Sequence, residues 1–270
     1  MSNLPDFPDL VIERRDRIAR ITFNRPEVYN ALPHQGIDDF LLALRLLDEQ
    51  DDTDVIVVTG AGRAFMSGID VNYLPKSTDD PRVERRKGKL WGQGQRGLLT
   101  LLQLEKPTIA MVNGPAAGLG SIIATCCDFA IMSEDATIGD RHINIGLVPG
   151  DGGTTLWPLL VGPSQAKYLL MTGKMLSGRQ AADLGLVLKA VPAQELEAAT
   201  QQLADELMAQ PRLAVRFTKF AINRQFRAAY ENVQDVASFL EVITQSSDEH
   251  FAAVEEFKER RSAARSAKQS

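Results

Sequence analysis

Cysteine is almost missing from this chain: among 270 residues only Cys126 and Cys127 occur. As direct neighbours they cannot form an ordinary structural staple, and they lack the spacing of a metal site. They read as small buried apolar residues in a reduced setting. Histidine is nearly as scarce, with His34, His142 and His250. Basic surplus is absent too: the formal charge is −5 and the pI near 5.4. No nucleic-acid footprint is therefore expected. The local basic cluster Arg82 to Lys89 reads as a solvated face. No apolar run approaches a membrane span, and the opening residues Met1 to Pro8 show no basic segment followed by an apolar one. A cytoplasmic location without membrane partners is the expectation.

What the chain does have is glycine in two dense turns. Gly114 to Gly120 and Gly146 to Gly153 each lead into a segment with helical character, and the apolar strand Phe129 to Met132 lies between them. Glycine lets a backbone approach a ligand closely, and a helix N-terminus offers unpaired N–H groups with partial positive charge. Such a turn serves either tight strand-to-helix packing or the stabilisation of an oxyanion, and two in tandem favour a site.

Around these turns the chain alternates strands and helices. Leu10 to Ile12 and Ile18 to Phe23 flank the charged turn Glu13 to Arg17, which predicts a hairpin. Phe40, Leu41, Leu44 and Leu47 recur at helical spacing, whereas Asp54 to Thr59 is a β-branched run suited to burial on both faces. Residues 71–95 are polar and irregular, and a loop of that length is either a lid or disordered. An amphipathic helix is predicted over 96–104, and a strand from Pro107 to Val112 feeds the first glycine turn. Beyond Ala193 the pattern is helical only, over Glu195–Gln210, Arg212–Arg227, Tyr230–Gln245 and Asp248–Ala267. This predicts an α/β layered core over 1–195 and an all-helical oligomerisation region over 196–270.

The motifs resemble the enoyl-CoA hydratase/isomerase (crotonase) superfamily. The resemblance rests on Asn113-Gly-Pro-Ala-Ala-Gly-Leu-Gly120 with Cys127-Asp128, and on Gly146-Leu-Val-Pro-Gly-Asp-Gly-Gly-Thr154. Further matches are Asn24-Arg-Pro-Glu-Val-Tyr-Asn-Ala-Leu32, Ala64-Phe-Met-Ser-Gly-Ile-Asp70, Leu170-Met-Thr-Gly173 and Ala181 to Val187. It implies a spiral of ββα units, trimers or dimers of trimers, and an acyl-CoA substrate with no prosthetic group and no metal. It also implies an oxyanion hole formed by the N–H groups of Ser67 and Leu119. Ala64, Phe65, Ile69, Asp70, Gly118 and Ile122 fall at its substrate positions, and Phe257 and Arg260 match residues that a neighbouring subunit lends to the nucleotide. Glu27 and Val28 stand where a lysine is frequent.

The chemistry departs from the family's hydratases, which use two glutamates. Ile122 occupies the first position and His142 the second. An isoleucine carries no proton, so His142 with Asp151 forms the candidate acid/base pair. Asp151 reads equally as a helix N-cap, and a capping carboxylate could still orient an adjacent imidazole. The pair also resembles the His and Asp of the superfamily's CoA-independent β-diketone hydrolases, and Glu241 falls near a further acidic residue of that branch. Gly120, however, stands where that branch has another histidine. Three readings follow: an acyl-CoA enzyme working through an enolate, a C–C bond hydrolase, and a catalytically silent member.

Overall fold

The computed structural model describes residues 4–74, 77, 80, 97 and 99–266. The cluster Arg82 to Lys89 and most of the loop over 71–95 lie outside the described residues. Strands β1 (Leu10–Arg15) and β2 (Ile18–Phe23) form the predicted hairpin in antiparallel register, Leu10 opposite Phe23. Asp16 and Arg17, both at positive φ, close it, matching the right-handed twist of the flanking strands.

From β2 onward the main sheet is parallel: β3 (Val55–Gly60), β4 (Thr108–Val112), β6 (Phe129–Ser133) and β9 (Lys189–Val191) follow in order. All six residues of β3 are buried, as its β-branched run requires. Helix α1 (His34–Asp48) buries Phe40, Leu41, Leu44 and Leu47.

After each central strand the chain enters a second, smaller layer and then turns into a helix. Thus β4 leads to β5 (Ala116–Ala117) and helix α2 (Leu119–Cys126). Strand β6 leads to β7 (Thr137–Gly139), a 3₁₀ turn at His142–Ile145, and helix α3 (Gly153–Val161). Strand β5 pairs with β7, and isolated bridges join Met66 to Ala116 and Leu32 to Ile69. This is the predicted ββα spiral, and it stacks the successive turns of the chain at one edge.

Helix α4 (Pro163–Thr172) follows Gly162; strand β8 (Leu176–Ser177) and helix α5 (Gly178–Asp183) complete the smaller layer. Three helices then close the chain: α6 (Leu196–Met208), α7 (Arg212–Gln245) and α8 (Asp248–Ser266). The predicted break between Arg227 and Tyr230 is absent, and α7 runs unbroken for 34 residues. Ala228 and Ala229 continue a helix rather than end one. Glu241 therefore lies in the second of the C-terminal helices.

One face of α7 is anchored on the core: Lys219 Nζ lies 2.7 Å from Asp128 Oδ2 and donates to the Lys106 carbonyl at 2.7 Å. Gln234, fully buried, donates to the Gly150 carbonyl and accepts from Thr155 Oγ1 at 3.0 Å. The other face leaves Leu213, Phe217, Phe220, Val236, Phe239 and Ile243 exposed. Among the described residues no helix is long and apolar enough to cross a membrane. Cys126 and Cys127 are buried and form no disulfide, and burial raises both thiols, that of Cys127 up to about 12, so neither is a reactive thiolate.

Candidate active site

The first glycine turn ends at Gly118, whose φ of 54° sets the entry to α2. A side chain at Gly120 would overlap the Met66 carbonyl, so α2 lies directly against the segment Ala64–Asp70. That contact also bars any histidine at position 120 on this backbone, removing one element of the diketone-hydrolase pattern.

The backbone donors of the Ala64–Asp70 segment differ from the expectation at one position. The Ser67 N–H is committed to the Tyr29 carbonyl at 3.0 Å, which corrects its assignment to an oxyanion hole. The neighbouring Ile69 is placed differently. Leu32 donates to the Gly68 carbonyl and accepts from the Asp70 N–H, so in the alternation of an extended segment the Ile69 N–H faces away from Leu32. Neither Ile69 nor Leu119 donates its N–H to an acceptor among the described residues. Leu119 is the first residue of α2, where the N–H has no helical partner. The Leu119 nitrogen lies 3.6 Å from where a Cβ on Gly68 would stand. The two amides are thus neighbours across the Gly68 turn.

The other residues of this segment serve mainly through backbone. Phe65 is fully buried and packs edge-on against Phe23 at 5.7 Å. The carbonyls of Ala64 and Phe65 accept from Asn30 Nδ2 at 2.8 and 3.2 Å. Asp70 caps the next turn through Asn72 N at 3.1 Å and approaches Arg25 Nη1 at 3.3 Å. Ile122 is buried within the core.

Next to the turn stands His142. Its Cε1 and Nε2 lie 3.6 and 3.9 Å from the position of a Cβ on Gly118. Its ring is held between two carboxylates: Nδ1 is 2.6 Å from Asp140 Oδ1, and Nε2 is 3.4 Å from Asp151 Oδ2. Asp151 is not the N-cap of α3. Gly152, at φ 139°, takes that position without a side-chain bond, which turns the Asp151 carboxylate toward the imidazole. Burial opposes charge on His142, but Asp151 and then Asp140 hold its pKa well above the ordinary imidazole value. Burial lifts Asp151 to about 6, with His142 pulling the other way. Together the pair holds a proton that either partner can carry.

Asp140 was not indicated by sequence. The Asp-x-His spacing is its only trace there, and nothing in the composition distinguishes it from a solvated aspartate. Glu241 is buried on α7 and adds its charge to the field on His142. Asp140, His142 and Asp151 also offer ligand atoms all within 4.8 Å of one another; the 2.6 Å contact marks Nδ1 as hydrogen-bonded.

Three sequence-indicated residues fall elsewhere. Arg260 is exposed, 3.7 Å from Glu256, and Phe257 is half-buried on the same helix. His250 is fully buried, its Nδ1 2.6 Å from the Ile145 carbonyl, and serves to seat α8. A cavity of about 790 Å³ opens near Cys126, Cys127, Leu186 and Phe226. It meets the far end of α2, away from the turn, and contains none of the groups at His142.

A ββα spiral whose turns meet at one edge, with a buried His–Asp cluster beside a glycine turn, defines the class of the fold. Comparison with known proteins gives the family. The enoyl-CoA hydratase/isomerase model matches residues 13–266, and the chain belongs to that family. It is 31% identical to a crotonyl-CoA hydratase of Syntrophomonas wolfei over 85% of this chain and 87% of that one. A hydroxycinnamoyl-CoA hydratase-lyase of Pseudomonas fluorescens is 34% identical, over 83% and 81%. A crystal structure of an enoyl-CoA hydratase/isomerase from Mycobacterium paratuberculosis superposes with a TM-score of 0.86 at 28% identity, covering 93% of this chain and 100% of that one.

Proposed function

We propose that the protein acts on an acyl-CoA thioester through an enolate. The Ile69 and Leu119 N–H groups receive the thioester oxygen, and the His142–Asp151 pair moves the proton. The observation that carries this reading is the His142 Nε2 to Asp151 Oδ2 separation of 3.4 Å, beside the turn that presents Leu119. Two amides aimed at one oxygen favour the charge that develops when a proton leaves the α-carbon. The pair supplies the base that the missing glutamates would otherwise be. CoA as the carrier is supported by the names of the relatives, each a CoA-thioester enzyme.

Hydration, isomerisation and C–C cleavage all pass through such an enolate, formed by addition of water to the β-carbon, by loss of a proton, or by departure of the cleaved acyl group. Glu241 beside His142 favours C–C cleavage as the second reading, in which the same pair activates water against a diketone. The exposed apolar face of α7 is suited to burial against further copies of the chain, in line with a trimeric or hexameric enzyme. In that assembly Phe257 and Arg260 are offered to a neighbour's nucleotide.

The test is His142→Ala. CoA binding by calorimetry is expected to persist while exchange of the α-protons of butyryl-CoA in heavy water is lost. Unchanged exchange removes the histidine from the chemistry, and absence of CoA binding at millimolar concentration in the unaltered protein favours the diketone reading.

A further inference from the structure

We propose that Asp140 is the positioning residue of this site: it fixes the proton of His142 on Nδ1 and so makes Nε2 the atom that exchanges protons with Asp151 and substrate. The inference rests on the reading of His142 as proton carrier.

Asp140 is 1% exposed and sits two residues before the imidazole, at the end of β7. Its Oδ1 accepts from the His142 backbone N–H at 3.1 Å and faces Nδ1 at 2.6 Å. Its Oδ2 is buried with no hydrogen-bond partner among the described residues. Satisfying a backbone N–H needs only a neutral oxygen, as an asparagine would provide. A buried carboxylate with one oxygen unpartnered is costly and is retained where a positive or strongly donating group faces it. The imidazole is that group.

An ionised carboxylate only accepts, so Nδ1 carries hydrogen in both the neutral and the charged ring. The neutral ring then has its lone pair on Nε2, the nitrogen facing Asp151 and the nearer of the two to the Gly118 turn. With the other tautomer the lone pair would point at Asp140, buried and away from substrate. Among the described residues, the charged groups acting on the ring are Asp140 on its own loop, Asp151 ahead of α3 and Glu241 on α7. His250, on α8, is engaged with the Ile145 carbonyl instead. Nδ1 is held by Asp140.

The experiment compares the full-length protein with Asp140→Asn and Asp140→Glu. One oxygen, Oδ1, serves both the His142 backbone N–H and Nδ1; an asparagine that turns its amide N–H toward Nδ1 favours the Nε2–H tautomer and gives up the backbone acceptor. With only three histidines, nitrogen-15 spectra of histidine-labelled protein are assigned by loss of one set in His142→Gln. The unaltered protein is expected to show a hydrogen-bonded Nδ1–H with a strongly downfield proton. Asp140→Asn is expected to show Nε2–H and a lowered imidazole pKa. Its butyryl-CoA proton exchange should fall about ten- to a hundredfold or more in kcat, with KM little changed, because the wrong tautomer lies in an intact geometry. Asp140→Glu should restore part of the Nδ1–H signal. Retention of Nδ1–H and its titration in Asp140→Asn overturns the assignment. A flipped tautomer with exchange unaffected in both Asp140→Asn and His142→Ala instead overturns His142 as proton carrier, and Asp140 is then only an anchor for its loop.

Discussion

His142 Nε2 and Asp151 Oδ2 lie 3.4 Å apart, although eight residues of chain and a 3₁₀ turn separate them. The loop between them is held from above by α7, where Gln234 grips the Gly150 carbonyl. The geometry at this point therefore depends on the C-terminal helices as well as on the spiral.

Asp151→Asn removes the carboxylate but keeps the shape. Turnover of an accepted acyl-CoA is expected to fall about a hundredfold or more. Any limb of the kcat/KM profile near pH 6, where Asp151 titrates, should vanish with it. A profile with the same limb in the variant assigns that ionisation elsewhere.

Leu119→Pro tests the amide alone. Position 119 opens α2, where proline is tolerated because its missing N–H is not needed by the helix. Loss of about 10²- to 10³-fold in kcat is expected for one oxyanion donor, with the thermal midpoint nearly kept. Full activity in a folded variant would exclude the Leu119 N–H from the mechanism.

Gly120→Ala addresses the close contact between α2 and the Met66 carbonyl. A methyl group there has no room, and the obstacle is backbone rather than a flexible side chain. Destabilisation of about 1–3 kcal/mol is expected, larger if the helix must shift. Urea denaturation measures it; a neutral result would mean that α2 and the 64–70 segment lie farther apart.

The buried pair should also make stability depend on pH. His142 has a raised pKa when folded, so its contribution is present below the ordinary imidazole value and is lost as pH rises through the folded one. Asp151, raised from 3.8 to about 6, holds its proton longer when folded, so stability falls across that interval too. Both effects have one sign: the folded chain binds more protons, and stability declines as pH rises. The double variant His142→Gln/Asp151→Asn should show a decline between pH 5 and pH 8 smaller by about 1 kcal/mol or more, measured by urea denaturation at both values. An equal slope in both proteins would show that the pair does not titrate in this way.

Periodicity and turn chemistry in the chain determine most of the architecture. The β-branched run before Gly60, the 3.6-residue stripe of α1 and the glycines ahead of α2 and α3 are local features, and local features are legible one segment at a time. Where the reading failed, neighbours in space decided. The break placed after Arg227 has no cap or glycine to enforce it, and packing of Lys219 and Gln234 onto the core keeps α7 continuous. Ser67 lost its candidacy because Tyr29 takes its N–H, a contact spanning 38 residues of chain.

The sequence by itself determined the alternation of strands and helices and the two glycine turns, since residue identity and spacing are all those require, and its resemblance to the family implied the spiral, the absence of both glutamates and the candidacy of His142 and Asp151. Only the tertiary structure decided that Asp140 faces the other side of the imidazole, and that Ile69 rather than Ser67 leaves an amide unclaimed beside Leu119. The reason is physical: a ring's tautomer and an amide's availability depend on which acceptor lies within about 3 Å, and a linear chain carries no record of that distance.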